Sequence, residues 1–278
     1  MRQLLVFIFT FVVAISIHAQ ELYVFAEPAS SLPAHALSVK FKNHFIGKNE
    51  FFDRLSYRLA PQVFMGLSKN MTLRIGSTFS NMYTYNPKLE SAHFYMKFRF
   101  LSSDAVHRHF RMAGFFEAAK TSSPFHFDEI NLGGDKSGIE AGLILTQLWH
   151  KLALSATVSH TQVLDSYRWD KGVHAGLHSY QSLQSVISAG YLLFPRTYTS
   201  YKQTNLNVYL ELLTQRLLDQ NRYYVDVAPA LQLIFSSQTK LNLGYRVQLG
   251  ADMERMMRRY WLLSVETTFL GASLRAEV

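Results

Sequence analysis

The chain of 278 residues contains no cysteine, and its charged residues make up only 17% of the total. The missing thiols exclude a disulfide scaffold, a thiolate zinc site and a cysteine nucleophile. The net charge is +8, but no run of lysines or arginines marks a basic patch, so we expect no nucleic-acid partner. A hydrophobic content of 48% excludes a disordered chain. The low charge suggests that part of the apolar surface faces something other than water.

The first nineteen residues have the layout of a secretory signal peptide. Arg2 precedes an apolar stretch over residues 4–16, and Ala19 is the small residue at the exit. A membrane anchor is the competing interpretation, but a spanning helix needs roughly 20 apolar residues. No later apolar run approaches that length. We therefore predict a cleaved signal peptide at 1–19 and an exported protein.

The remaining sequence alternates apolar and polar residues with a period of two, which predicts β-strands. Over 54–67, for example, Leu55 and Leu59 share one face while Arg54 and Arg58 share the other. About twelve such segments occur, and each is long enough for the roughly 9 to 11 residues with which a tilted strand crosses a membrane. The predicted strands cover 36–45, 54–67, 71–82, 92–102, 106–119, 138–149, 152–163, 179–193, 204–215, 223–236, 240–250 and 259–270.

Short and long connections alternate along the predicted strands. The links at 68–70, 103–105, 150–151 and 237–239 are short, and the links between them are longer. Only 194–203 departs from this alternation, because it is long where a short link is expected. Short turns at one end and long loops at the other are typical of outer-membrane barrels, with both termini on the periplasmic side when the strand number is even. The predicted hairpins pair Leu67 with Met71, Phe98 with Phe110, Trp149 with Leu152 and Phe235 with Leu241.

The apolar face continues across all the predicted strands and is too large to fill the interior of one closed barrel. We therefore expect it to face lipid, with the polar face turned to a lumen. The predicted fold is all-β, a transmembrane antiparallel up-and-down β-barrel of about 12 strands. We assign it to residues 35–278 and assign 20–34 to a periplasmic N-terminal segment, although the sequence also allows this segment to enter the lumen.

Five segments resemble outer-membrane β-barrel proteins of the Bacteroidota. They are 21–30 (ELYVFAEPAS), 107–113 (HRHFRMA), 127–138 (FDEINLGGDKSG), 146–149 (TQLW) and 231–246 (LQLIFSSQTKLNLGYR). The resemblance spans the mature chain. It implies the barrel architecture and a location in the outer membrane, and it implies no activity.

Charged residues at polar-face positions are the candidates for a selectivity site in the lumen. They are Arg58, Arg74, Lys97, Arg99, Arg111, Glu117, Glu140, Glu211, Asp226, Arg246 and Glu266. A basic wall of Lys97, Arg99 and Arg111 opposite Glu117 and Glu140 would create a transverse field that selects small polar or anionic solutes. The alternative is a salt-bridged interior that holds a plugged barrel together. The sequence leaves both open.

Two histidine groups are candidate metal sites. His107 and His109 share one face of a strand, and His126 lies near Asp128 and Glu129 in the long loop 120–137. These residue types can ligate zinc or copper. Neighbouring arginines oppose a cation at the first group, so we predict no metal and no cofactor. The same loop ends in 133–138 (GGDKSG), which lacks phosphate-loop spacing and is interpreted as a flexible hinge.

His160 is a candidate base for a hydrolytic site, because Ser179 could approach it from the next strand. A triad requires nucleophile, base and orienting group within hydrogen-bond reach, and no GxSxG motif occurs. We therefore predict no catalytic residues.

The sequence favours an outer-membrane channel or transporter that passively conducts small polar solutes, rather than an enzyme. The main alternative is a closed structural or surface-binding barrel, and a lipid-modifying outer-membrane enzyme ranks third. The expected partners are outer-membrane lipid, the outer-membrane assembly machinery and a small polar solute.

Overall fold

The computed structural model describes residues 23–48, 52–82, 84–123, 127–164, 179–195 and 202–271. Within these ranges, twelve antiparallel strands close into one barrel, in which each strand pairs with its sequence neighbours and the last pairs with the first. The predicted all-β fold of about twelve strands is confirmed. The described residues include no helix that is long and apolar enough to span a membrane. The predicted signal peptide at 1–19 lies outside the described residues.

The strands are long and follow one another around the barrel. They are β1 (Leu37–Ile46), β2 (Ser56–Gly66), β3 (Met71–Ser80), β4 (Lys88–Ala105), β5 (Arg108–Thr121), β6 (Gly138–Trp149), β7 (Leu152–Val163), β8 (Gln181–Phe194), β9 (Asn205–Leu217), β10 (Tyr223–Phe235), β11 (Thr239–Ala251) and β12 (Arg259–Phe269).

The β4–β5 hairpin differs from its prediction. Residues 103–105 belong to β4, and the turn consists of Val106 and His107, whose φ is 59°. The β4 strand is also irregular between Arg99 and Leu101, so its register with β5 shifts there. The predicted register was therefore wrong in this hairpin, and the extra residue also exchanges the two faces of β4 beyond Arg99, so that Leu101 faces outward like Phe98.

The predicted pairs can be compared with the observed register. Leu67 bonds to Met71 and Trp149 pairs with Leu152 as predicted, whereas Phe98 pairs with Gly114, Phe110 with Ser103, and Phe235 with Thr239. The discrepancies are four residues at Phe98 and two at Phe235, which preserves the alternation of faces there, but five at Phe110, because the irregularity between Arg99 and Leu101 adds one residue to β4.

The two faces of the barrel wall have opposite chemistry. Phe41, Ile75 and Leu210 on the outer face are 52%, 50% and 55% exposed. On the inner face, Arg58 and Asp226 are 1% and 0% exposed. An apolar outer surface of this extent would be unfavourable in water and suits the hydrocarbon of a bilayer.

The connections define two ends of the barrel. At the turn end, β1 begins, β12 ends, and the connections are 67–70, 106–107, 150–151, 195–204 and 236–238. The connections at the loop end are 47–55, 81–87, 122–137, 164–180, 218–222 and 252–258.

Candidate functional site

The N-terminal segment 23–36, here called the plug segment, lies inside the barrel. Its backbone is held by Glu211 of β9, whose carboxylate is fully buried. The N–H groups of Val24 and Phe25 donate to Oε1 at 2.9 and 2.8 Å, and the N–H of Ala26 donates to Oε2 at 2.8 Å. Three hydrogen bonds to one carboxylate offset the cost of burying its charge. Glu211 is therefore the main anchor of the plug segment.

Other strand side chains bind the plug segment farther along its length. The Lys97 ammonium donates to the Pro28 carbonyl at 2.7 Å, the Ala29 N–H donates to Thr146 Oγ1 at 2.9 Å, and the Leu32 N–H donates to Thr72 Oγ1 at 2.9 Å. These contacts satisfy backbone groups that an extended segment would otherwise leave without partners.

Two glycines of the barrel wall leave room for the plug segment. A Cβ at Gly66 would lie 1.9 Å from the Pro33 carbonyl oxygen, and one at Gly244 would lie 2.7 Å from the Phe25 ring. Both approaches are too close for any other residue without movement of the segment. The inner wall is thus shaped to receive it.

This placement corrects the assignment of 20–34 to a periplasmic segment. Residues 23–34 occupy the lumen, which was the alternative that the sequence left open, and residues 20–22 lie outside the described residues. The physical reason is that wall groups, above all Glu211, provide acceptors for the segment's backbone N–H groups.

Residues 127–137, here called the lid loop, fold into the barrel from the loop end. The Gln215 side chain of β9 accepts the Ile130 N–H at 2.9 Å and donates to the Ile130 carbonyl at 2.7 Å. Asp135 accepts a hydrogen bond from Arg58 Nη2 at 2.5 Å. Lys136 is only 1% exposed, and burial lowers the pKa of Lys136 to about 8 although the nearby Asp135 carboxylate opposes this effect. The interpretation of 133–138 as a flexible hinge was therefore wrong, because its charged residues are packed and paired.

A buried ionic cluster connects the lid loop to the loop 252–258. Arg255 donates to Asp226 of β10 at 2.6 and 2.7 Å and to Glu129 of the lid loop at 3.2 Å. Arg246 of β11 donates to the same Asp226 at 2.6 Å. Removing one partner from such a cluster leaves an uncompensated buried charge and costs about 3–5 kcal/mol. The loop end of the lumen is therefore strongly held.

A cavity of about 280 Å³ lies between the plug segment and the lid loop. Phe25, Ala26 and Glu27 contribute from the plug segment, and residues 130–133 contribute from the lid loop. The titratable strand residues at the cavity include Lys42, His44, Arg74, Glu117, Glu140 and Arg246. Arg74 contacts two carboxylates there, Glu117 at 2.8 Å and Glu27 at 3.5 Å.

The predicted lumenal residues fall into separate groups. Arg58, Arg74, Glu117, Glu140 and Arg246 line the cavity, and Asp226 and Glu211 hold the elements that bound it. Glu266 lies nearer the turn end, 2.9 Å from Lys240 and 3.7 Å from Lys40. Their role in selectivity stays a prediction.

The predicted basic wall of β4 and β5 is not assembled. Lys97 binds the plug segment, and Arg99 donates to the Lys69 carbonyl at 2.7 Å, at the turn end. Arg111 lies 3.4 Å from Asp104, also at that end. Arg74 of β3 is the cation that meets Glu117, because strand stagger places it at the same height.

Sequence reasoning missed several residues of this site as partners. Glu90 pairs with Arg58 at 3.1 Å, and Arg255 joins Glu129 to Asp226. Arg255 lies in a loop and has no periodic signal. Lys42 and His44 have inward parity on β1, which predicts the polar face for Lys42 and could have done so for His44, but parity does not show that they line the cavity.

The two candidate metal groups are explained by other contacts. The His107 ring stacks on His150 at a centroid distance of 5.0 Å, and His109 Nδ1 lies 2.6 Å from Asp104. Asp128 pairs with Arg222 at 2.6 Å. His126 lies outside the described residues, and among those described no three His, Asp or Glu side chains are grouped to hold a metal ion.

The candidate hydrolytic pair is not joined. His160 faces outward on β7 opposite Leu183, whereas the Ser179 hydroxyl is buried and has no hydrogen-bond partner among the described residues. The two side chains therefore lack the contact that nucleophile activation requires.

A closed antiparallel barrel with an apolar outer face and an ionised interior has the fold of an outer-membrane β-barrel. The chain is similar in structure to an outer membrane channel from Pseudomonas putida F1, with a TM-score of 0.59 and 12% identity over 89% of this chain and 100% of that chain. More distant likenesses are OccAB4 of Acinetobacter baumannii (TM-score 0.39, 9% identity, 86% of this chain and 63% of that one) and CdiB from Escherichia coli (TM-score 0.42, 6% identity, 86% and 64%). No protein-family model and no curated protein matches the sequence.

Proposed function

We propose that this chain is an outer-membrane channel for small polar solutes, exported with cleavage of residues 1–19, whose lumen the plug segment and the lid loop close in the present state. The observation that carries this proposal is the charged cavity between the two segments. It lies inside the barrel, and elements other than strands separate it from the two ends. The likeness in fold to the outer membrane channel from Pseudomonas putida F1 supports the proposal.

The plug segment can leave the lumen without loss of the barrel. The twelve strands pair with one another around a complete ring, and the plug segment supplies no strand to that ring. Its main anchor is one carboxylate, Glu211, which accepts three of its N–H groups. Displacement would connect the cavity to the turn end, where charged groups of the wall then determine which solutes enter.

A closed structural or surface-binding barrel is the second candidate. The observation that favours it is the buried cluster of Arg255, Asp226 and Glu129, which holds the lid loop against the wall. In this alternative the interior charges stabilise the barrel and the long loops carry the function.

Planar-bilayer conductance of the purified full chain separates the two candidates. We expect brief openings for the natural protein and a several-fold higher open fraction for Glu211→Gln, because the neutral amide binds the three N–H groups more weakly than the carboxylate. Glu254→Gln is the control, since the Glu254 side chain is exposed and only its backbone contacts the lid loop. Absence of current from both the natural protein and Glu211→Gln would exclude the channel.

A further inference from the structure

Three cationic or basic side chains of the cavity wall have unused hydrogen-bonding groups. Lys42 and His44 of β1 and Arg246 of β11 all line the cavity. Arg246 Nη2 and His44 Nδ1 are buried and find no hydrogen-bond partner in the part of the chain that the structure describes. The Lys42 ammonium forms no hydrogen bond or ion pair with any described residue. Buried polar groups without partners are rare in proteins and indicate a role that the chain itself does not complete.

These groups lie on one side of the cavity. Strands β1 and β11 both pair with β12, so they flank one strip of the wall. His44 lies within electrostatic range of Lys42, Arg58 and Arg246, which are all positively charged. Arg58 is already paired with Glu90 and Asp135. Lys42 and Arg246 are therefore the cations with donors left over.

The carboxylates of the cavity, in contrast, have partners within the chain. Arg74 binds Glu117 and Glu27, and Arg255 binds Glu129. Glu140 accepts hydrogen bonds from the hydroxyls of Ser159 and Thr161 on β7. The charged groups that lack partners are thus hydrogen-bond donors. An anionic group of a ligand would accept hydrogen bonds from them.

The lumen between the turn end and the cavity also carries a net positive charge. Between the plug segment and that end, the inward-facing cations outnumber the acids. The cations are Lys40, Lys97, Lys240, Arg99 and Arg111, and the acids are Glu266 and Asp104. Such an excess raises the local concentration of anions at the mouth.

We infer that the cavity is a binding site for a small hydroxylated anion, whose carboxylate or phosphate group contacts Lys42 and Arg246 beside His44. Its hydroxyl groups face Glu140, Ser159 and Gln184 across the cavity. A volume of about 280 Å³ accommodates a molecule of a few carbon atoms. The inference rests on the proposed channel function, since it names the class of solute that pauses on the path.

Equilibrium dialysis of the full chain in detergent tests the site with three radiolabelled probes of similar size. Glycerate carries a carboxylate, glycerol 3-phosphate carries a phosphate, and glycerol carries no charge. Each probe is supplied both to the folded protein and during refolding from urea, so that a slowly exchanging cavity is also loaded. We expect one or both anions to bind with a stoichiometry near one and glycerol not to bind. The anion that binds more tightly identifies the group.

Lys42→Met removes the charge and keeps most of the length of the side chain. It breaks no hydrogen bond or ion pair of the described residues but removes an attraction to Glu27 and Glu117, so circular dichroism and thermal unfolding are compared with the natural protein first. We expect anion binding at least about tenfold weaker, because a charge-assisted contact is lost. Lys48→Met is the control: Lys48 lies shortly after β1, is exposed and lies outside the cavity lining, so its replacement should leave binding unchanged.

Failure of both anions to bind under either loading procedure would overturn the inference, as would equal binding to Lys42→Met or binding of glycerol as tight as that of the anions. None of these results depends on current. If the protein conducts ions but binds neither anion, the inferred binding site is excluded and the proposed channel function is not.

Discussion

Glu211 and Val24 lie 187 positions apart in the chain, and the Val24 N–H donates to the Glu211 carboxylate at 2.9 Å. This contact brings the beginning of the described chain to the middle of β9. The Glu211 carboxylate therefore binds the plug segment instead of facing an open pore. The state of the lumen therefore depends on how firmly this carboxylate holds the plug segment.

Gly66→Ala should displace the plug segment near Pro33, since the new Cβ would lie 1.9 Å from the Pro33 carbonyl oxygen. The natural chain has no cysteine, so Ala29→Cys gives a single thiol at a fully buried position of the plug segment. We expect maleimide to label this thiol several-fold faster when Gly66→Ala is also present.

The control for this labelling experiment is Gly250→Ala. A Cβ at Gly250 would meet nothing within 4 Å, so the labelling rate should stay at that of Ala29→Cys alone. Equal rates in all three proteins would show that the plug segment is not held against Gly66.

How far the sequence predicts this structure depends on the range of the interactions. The alternation over β2 is local, so it assigns Arg58 and Leu59 to opposite faces without knowledge of the other strands. The contact of Glu211 with the plug segment is not local, and parity shows only that Glu211 faces inward. The bulge between Arg99 and Leu101 likewise leaves no period-two signal, which is why the β4–β5 register was wrong.

Leu210→Arg should destabilise the barrel in a bilayer by about 2–4 kcal/mol, because Leu210 lies on the outer face near the middle of β9 and arginine is costly at the bilayer midplane. Leu210 is 55% exposed and would tolerate a charge readily if it faced water. The measurement is urea unfolding from phospholipid vesicles. Val106→Arg, at the turn end and 86% exposed, should cost only about 0–1 kcal/mol. Costs that are equal at the two positions would argue against a lipid-facing belt.

Acid should weaken the docking of the plug segment through Glu27. Burial raises the pKa of the Glu27 carboxyl, but Lys40, Lys97 and Arg74 outweigh this effect and hold the pKa below its ordinary value of 4.5. Docking therefore gains stability from the ionised carboxylate above pH 4.5 and loses it as the pH falls toward the lower pKa of the docked state.

The open fraction in planar bilayers should accordingly rise when the pH is lowered below 4.5. Glu27→Gln removes this titration, so a smaller rise is expected for that variant. An identical acid response in the two proteins would assign it to other groups.

A reversible cross-link between the plug segment and the wall tests the central claim most directly. Ala29→Cys and Thr146→Cys replace residues whose backbone N–H and side-chain Oγ1 lie 2.9 Å apart, and no native thiol competes. The two cysteines are introduced together into Glu211→Gln. Oxidation to a disulfide should stop the current, and reduction of the disulfide by dithiothreitol should restore it. Current of the same size in the oxidised and reduced states would contradict a channel that opens by displacement of this segment.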